Sequence, residues 1–97
     1  MSFSALQVQQ VWSKALVVPN TDSMNWRKDR FGAWIHRSSY GKNSDYGWQI
    51  DHLKPKTQGG DDELSNLQPL HWENILSKDA GRMDGVVTSD GKMNVRK

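Results

Sequence analysis

The chain predicts a small α+β fold, and three patterns carry that expectation. Val8, Val11, Trp12 and Ala15 recur at helical spacing near the N-terminus. Residues 31–37 and 46–51 alternate in the way strands do. Near the C-terminus, VVTSDGKMNV sets the turn-forming pair Asp90-Gly91 between two short β-prone runs. At 97 residues there is room for one core, so a single domain over 1–97 is expected. Apolar residues make up only 35% of the chain, which implies a thin core, and five Trp offset this by burying much area per residue.

Taken in order, residues 4–16 read as a helix with Ser4 as N-cap. Residues 24–30 read as a helical turn or an ordered loop anchored by Trp26. Residues 31–37 and 46–51 are strand candidates joined through a polar, glycine-containing hairpin loop at 38–45. Asp51 and His52 then fall where strand gives way to loop. Pro55 and Gly59-Gly60 exclude regular structure beyond them. A helical turn is expected at 61–65, and Pro69 confines 67–70 to an edge strand or extended connector. Residues 71–77 form the last helix candidate, with Trp72, Ile75 and Leu76 on one face and Gly81 as its stop. Trp12, Trp34, Trp48 and Trp72 sit in regular patterns and are assigned to packing.

There is no cysteine, so disulfides and thiolate zinc sites are excluded. Three His without close spacing make no zinc cluster, and no structural zinc is expected. No apolar run reaches membrane-span length and no signal peptide is seen, which points to a cytoplasmic protein with no membrane partner. The net charge is +2, and Arg27-Lys28-Asp29-Arg30 is the densest basic run. It fits either a phosphate-binding face or a solvated loop.

The chemistry concentrates in residues 47–79. An adjacent Asp-His pair alone says little. A carboxylate, an imidazole and a carboxamide gathered around one loop suit metal-assisted phosphodiester cleavage, because imidazole is the usual base near neutral pH and a cation neutralises charge on the phosphorane and the leaving oxygen. IDHLKP, the Gly-Gly pair, LSNLQPLHW and the following Asn and Ser-Lys resemble the HNH endonuclease family, built on the ββα-metal (His-Me) finger, in a bacterial and phage branch. The upstream WRKDRFGAWIHR and YGWQIDH are similar to that branch as well, and the motif core spans 46–79.

The resemblance implies a metal-dependent endonuclease acting on double-stranded or nicked DNA and leaving 5′-phosphate and 3′-hydroxyl ends. It assigns His52 as general base, Asp51 as metal ligand, and Asn66 as the residue that pins the loop and orients the base. Mg²⁺ is the implied cofactor, with Mn²⁺ an alternative. Arg27, Lys28, Arg30, His36, Arg37, Lys54, Lys56 and Lys78 are the expected nucleic-acid contacts, on a monomer or weak homodimer. Two positions depart from the branch pattern. The second metal ligand, nine residues after Asn66, falls on Ile75, where WENI replaces WENN. Asn74 is the nearest substitute, turned about 100° around an ideal helix. Gln49 stands where Glu is common. A catalytically degenerate module that binds nucleic acid or protein is the alternative reading.

Overall fold

The computed structural model describes residues 3–97. Helix α1 spans Ala5–Trp12. Its start is set by a capping box: Ser4 Oγ accepts the Gln7 backbone N–H, and Gln7 Oε1 accepts the Ser4 N–H. The helix is shorter than the apolar pattern suggests. After Trp12 the chain straightens, and Leu16 exchanges two backbone hydrogen bonds with Lys28.

Three two-stranded antiparallel sheets follow. Strand β1 (Trp26–Lys28) pairs with β2 (Trp34–His36), β3 (Trp48–His52) with β4 (Leu67–His71), and β5 (Val87–Asp90) with β6 (Met93–Arg96). Helix α2 (Trp72–Asp79) leaves β4 directly, so β3, β4 and α2 form a ββα unit. The result is a small α+β domain with an N-terminal helix and a C-terminal hairpin. Among the described residues no helix is long and apolar enough to cross a membrane.

The pairing corrects two expectations. Residues 24–30 hold a strand, because Trp26–Lys28 borders both β2 and the Leu16 backbone. Strands 31–37 and 46–51 are not hairpin partners. His36 ends β2 by accepting the Ser38 N–H on Nδ1, which turns the chain out of the sheet. The partner of β3 is β4, with Ile50 opposite Pro69. A two-stranded sheet leaves one side of each strand unpaired, so a proline without an N–H is tolerated there.

The core packs α1 against the middle of the finger. Val11, Trp12, Ala15, Ile35, Trp48 and Leu67 form one buried cluster, with the Trp12 and Trp48 ring centroids 5.3 Å apart. Trp72 is half-buried and donates its indole N–H to Ser44 O at 2.7 Å. Helix α2 buries Asn74 and Ser77, whereas Leu76 is 60% exposed, so its inward face is polar and not the apolar stripe expected. Asn74 on α2 and Asn94 on β6 act as joints to strands with which their own elements share no ladder. Asn74 Oδ1 accepts the Val86 and Val87 N–H groups and its Nδ2 donates to Val87 O. Asn94 does the same for Trp34 N–H and O. Each carboxamide imitates a backbone unit, which lets a thin-cored domain satisfy buried backbone groups.

Candidate active site

The site begins at the end of β3, where register places Asp51 opposite Gln68 and His52 opposite Leu67. Asp51 is 7% exposed. Its Oδ2 accepts Gln68 Nε2 at 2.7 Å from the neighbouring strand and Lys78 Nζ at 2.7 Å from the last turn of α2. The same ammonium donates to the His52 carbonyl at 2.7 Å. One lysine therefore clamps the strand end from the helix side.

His52 lies half-buried beside this pair. Its Nε2 meets Asp62 Oδ1 at 2.7 Å, and Asp62 Oδ2 also receives Lys56 Nζ at 3.2 Å. The hydrogen bond from His52, followed by the Lys56 ammonium, holds the Asp62 carboxyl below the usual carboxylate range. An ionised carboxylate at Nε2 fixes the proton on that nitrogen and leaves Nδ1 with the lone pair. In the neutral ring, Nδ1 is then the accepting atom.

Loop 53–66 is shaped by its glycines and by Asn66. A Cβ at Gly60 would lie 1.7 Å from Lys54 O, so no other residue fits that fold of the chain. Asn66 Oδ1 accepts the Lys54 N–H at 2.8 Å, and its Nδ2 donates to Lys54 O and Asp61 O. These bonds tie both flanks of the loop together and set Asp61, hence Asp62, across from His52.

The structure thus brings Asp51, His52 and Lys78 into direct contact, links Asn66 to Lys54, and links Lys56 to His52 through Asp62. Lys28 and Arg30 line a groove of about 180 Å³ that also includes Leu53 and Gln68, next to the site. Three expected nucleic-acid contacts and the substitute metal ligand are engaged in other ways. Arg27 donates to the Ser23 and Ser13 carbonyls. His36 packs edge-on against Trp26 and accepts from Ser38. Arg37 is exposed and donates to Gln9. Asn74 is fully buried, with its oxygen taken by two backbone donors. A separate pocket of about 390 Å³, bounded by Trp26, Trp34 and Tyr46, and a wider one of about 660 Å³ beside α1 include none of Asp51, His52, Asp62 and Lys78.

Sequence reasoning missed three contributors. Asp62 stands ten residues from its imidazole, and the only signal was an acidic pair following Gly-Gly. Gln68 is placed by strand register. Lys14 reaches from beyond α1 to the Leu64 and Leu67 carbonyls and also lines the groove.

HNH endonucleases typically use a divalent metal. The residues present here do not fit one as they stand. Hard cations take several oxygen ligands. Among the described residues no group of three or more His, Cys, Asp or Glu is gathered for a metal. Asp51 contributes one carboxylate whose Oδ2 already faces an ammonium and an amide N–H. Ile75 lies one helical turn before Lys78, on the same side of α2, and has no donor atom.

Comparison with curated proteins and with solved structures returns no match. The protein-family model described as HNH endonuclease matches residues 36–73. The segment carrying Asp51, His52 and Asn66 thus lies within the residues that this family model matches.

Proposed function

We propose that this domain hydrolyses phosphodiester bonds in DNA, with His52 as the general base. The observation that carries this reading is the His52–Asp62 pair, which leaves Nδ1 as proton acceptor at a half-exposed strand end. In the reaction, a water oxygen forms a bond to phosphorus while the bond to the 3′ oxygen breaks. The water proton passes to His52 Nδ1, and the departing 3′ oxygen takes a proton from solvent. The products carry 5′-phosphate and 3′-hydroxyl ends. Asn66 holds the loop that keeps Asp62 on the ring. Lys28 and Arg30, which line the groove, supply positive charge for a nucleic-acid backbone in this reading, with Lys54 in the adjoining loop.

Nicking of supercoiled plasmid tests the assignment, with Mg²⁺ or Mn²⁺ against EDTA as a variable. Removing a general base costs about 10² to 10⁴ in rate. His52→Ala should lose activity on that scale with an unchanged circular dichroism spectrum, and Asp62→Asn should lose less. Cleavage by His52→Ala at the parent rate would remove His52 from this role.

A second reading, a module that binds nucleic acid without cutting it, is favoured by one observation. Ile75 and the Asp51–Lys78 pair stand where a metal-dependent site needs open oxygen ligands. Salt-sensitive DNA binding with no nicking under any condition would select it.

A further inference from the structure

We infer that the Lys78 ammonium provides the positive charge facing the scissile phosphate and that the site holds no divalent ion. The assignment concerns the same site as the proposed hydrolysis and rests on that reading only for its activity test.

A lysine ammonium has three N–H donors. Lys78 uses one on Asp51 Oδ2 and one on the His52 carbonyl, both at 2.7 Å, which leaves one. Its side chain is 23% exposed against 7% for Asp51, so the open side of the pair belongs to the lysine. An incoming phosphate oxygen therefore meets the ammonium before the carboxylate. Asp51 in turn holds Nζ in place and is itself held by Gln68. The His52 carbonyl, bonded to Nζ, fixes the ammonium next to the residue that carries the base.

A divalent ion at Asp51 would have to share the one carboxylate available with an ammonium and an amide already on its Oδ2. It would then find Ile75 where an oxygen ligand is needed. The Asn74 carboxamide cannot rotate to help without breaking bonds to Val86 and Val87. The replacement of Asn by Ile and the inward-turned Lys78 are thus one arrangement: an apolar side chain and a fixed monovalent charge in place of ligand and metal. An ammonium cannot act as a Lewis acid toward two oxygens at once. It supplies charge and one hydrogen bond, so the site is expected to be slower than a metal-loaded one but indifferent to chelators.

Binding of Mn²⁺, read by electron paramagnetic resonance of the free ion, tests this without any assay of cleavage. The parent, Asp51→Asn, Lys78→Met and Ile75→Asn/Lys78→Met proteins are titrated, with circular dichroism confirming that each is folded. The parent and Asp51→Asn should both fail to bind below about 1 mM, since a lone paired carboxylate is a poor site for a hard cation. The double variant should bind at least tenfold more tightly, because it frees the carboxylate and adds an amide oxygen. Lys78→Met alone reports on the carboxylate when Ile75→Asn does not fold. Micromolar binding by the parent that Asp51→Asn abolishes would overturn the inference. In the cleavage arm, parent activity should survive EDTA and fall at least a hundredfold in Lys78→Met, the scale of losing one transition-state charge contact. Activity abolished by EDTA would also overturn it. Absence of cleavage in every condition would count against the hydrolytic reading, and the Mn²⁺ titration would still decide whether the ammonium has replaced a metal.

Discussion

Asp29 and Asp51 are both buried carboxylates in a domain with little apolar core, and they are satisfied in opposite ways. Asp29 is 1% exposed and accepts four N–H groups. Oδ1 takes Phe31 and Ala33, closing the turn between β1 and β2, and Oδ2 takes His71 and Asn74, joining that turn to the finger. All four donors are neutral and fixed. Asp51 is met by one ammonium and one amide, and its partner reaches solvent. Spreading a charge over neutral dipoles from separate segments makes a joint. Balancing it with one cation at the surface makes a field that a substrate can feel.

The largest expected effect follows from the joint. Asp29→Ala leaves the Ala33 and His71 N–H groups and one of the two Asn74 amide N–H groups buried without an acceptor. At about 1–3 kcal/mol per unsatisfied group, the total is about 3–5 kcal/mol or more. A domain of this size holds about 5–15 kcal/mol. Urea unfolding should therefore show a collapsed midpoint or no cooperative transition. Asn74→Ala should follow closely, since it strips Val86 and Val87 of their acceptor as well. A loss below about 1 kcal/mol for Asp29→Ala would dissolve the contrast between the two carboxylates.

The same contrast shows what was legible in the sequence. Local features could be read: the Ser4 cap, the strand ending at Asp51-His52, the loop forced by Gly-Gly, and the Asp90-Gly91 region, where the two connecting residues are Gly91 and Lys92. Asn66 came only from the family resemblance, although its partners at Lys54 and Asp61 lie within the same loop. Asp29 was not readable, because it sits inside a basic run and its partners His71 and Asn74 are more than forty residues away. Strand β1 was hidden for the same reason: three residues carry little periodicity, and their partners at 16 and 34–36 are set by tertiary pairing. Asn74 looked like a spare ligand, because a residue-type argument sees a carboxamide oxygen. It does not see the two backbone N–H groups that occupy it. Lys78 was readable as a basic residue near a helix end, but its turn toward Asp51 depends on how α2 docks.

A middle-sized effect sharpens the comparison from the other side. Lys78→Met removes the counter-charge but leaves Asp51 with Gln68 and a route to solvent. The expected stability loss is about 1.5–3 kcal/mol, the range for a hydrogen bond to a charged group. Asp51→Asn should cost a similar amount, and the double variant less than the sum, because the residues share one interaction. Equilibrium unfolding in a double-mutant cycle measures the coupling. Additivity would mean that the 2.7 Å contact contributes nothing.

The smallest effect comes from an exposed pair that serves as the reference for both carboxylates. Arg96 donates to Glu73 Oε1 at 2.6 Å and to Asp45 Oδ1 at 2.9 Å, with 44% of the Arg96 side chain open to water. The Arg96 guanidinium holds the Glu73 carboxyl below its ordinary value of 4.5. A carboxylate whose folded pKa is lowered adds stability above the unfolded value, and that increment is lost as pH falls through the folded value. Arg96→Met should therefore lower stability at pH 7 by less than about 1 kcal/mol, as for other solvent-screened pairs. The difference from the parent should hold down to about pH 5 and then close as the solution becomes more acidic than 4.5. It should also shrink in 1 M salt, where screening reaches about 3 Å. The Asp51–Lys78 pair, being more enclosed, should keep most of its coupling in the same salt. Equal salt sensitivity for the two pairs would show that enclosure, taken here as the source of the field at Asp51, makes no difference.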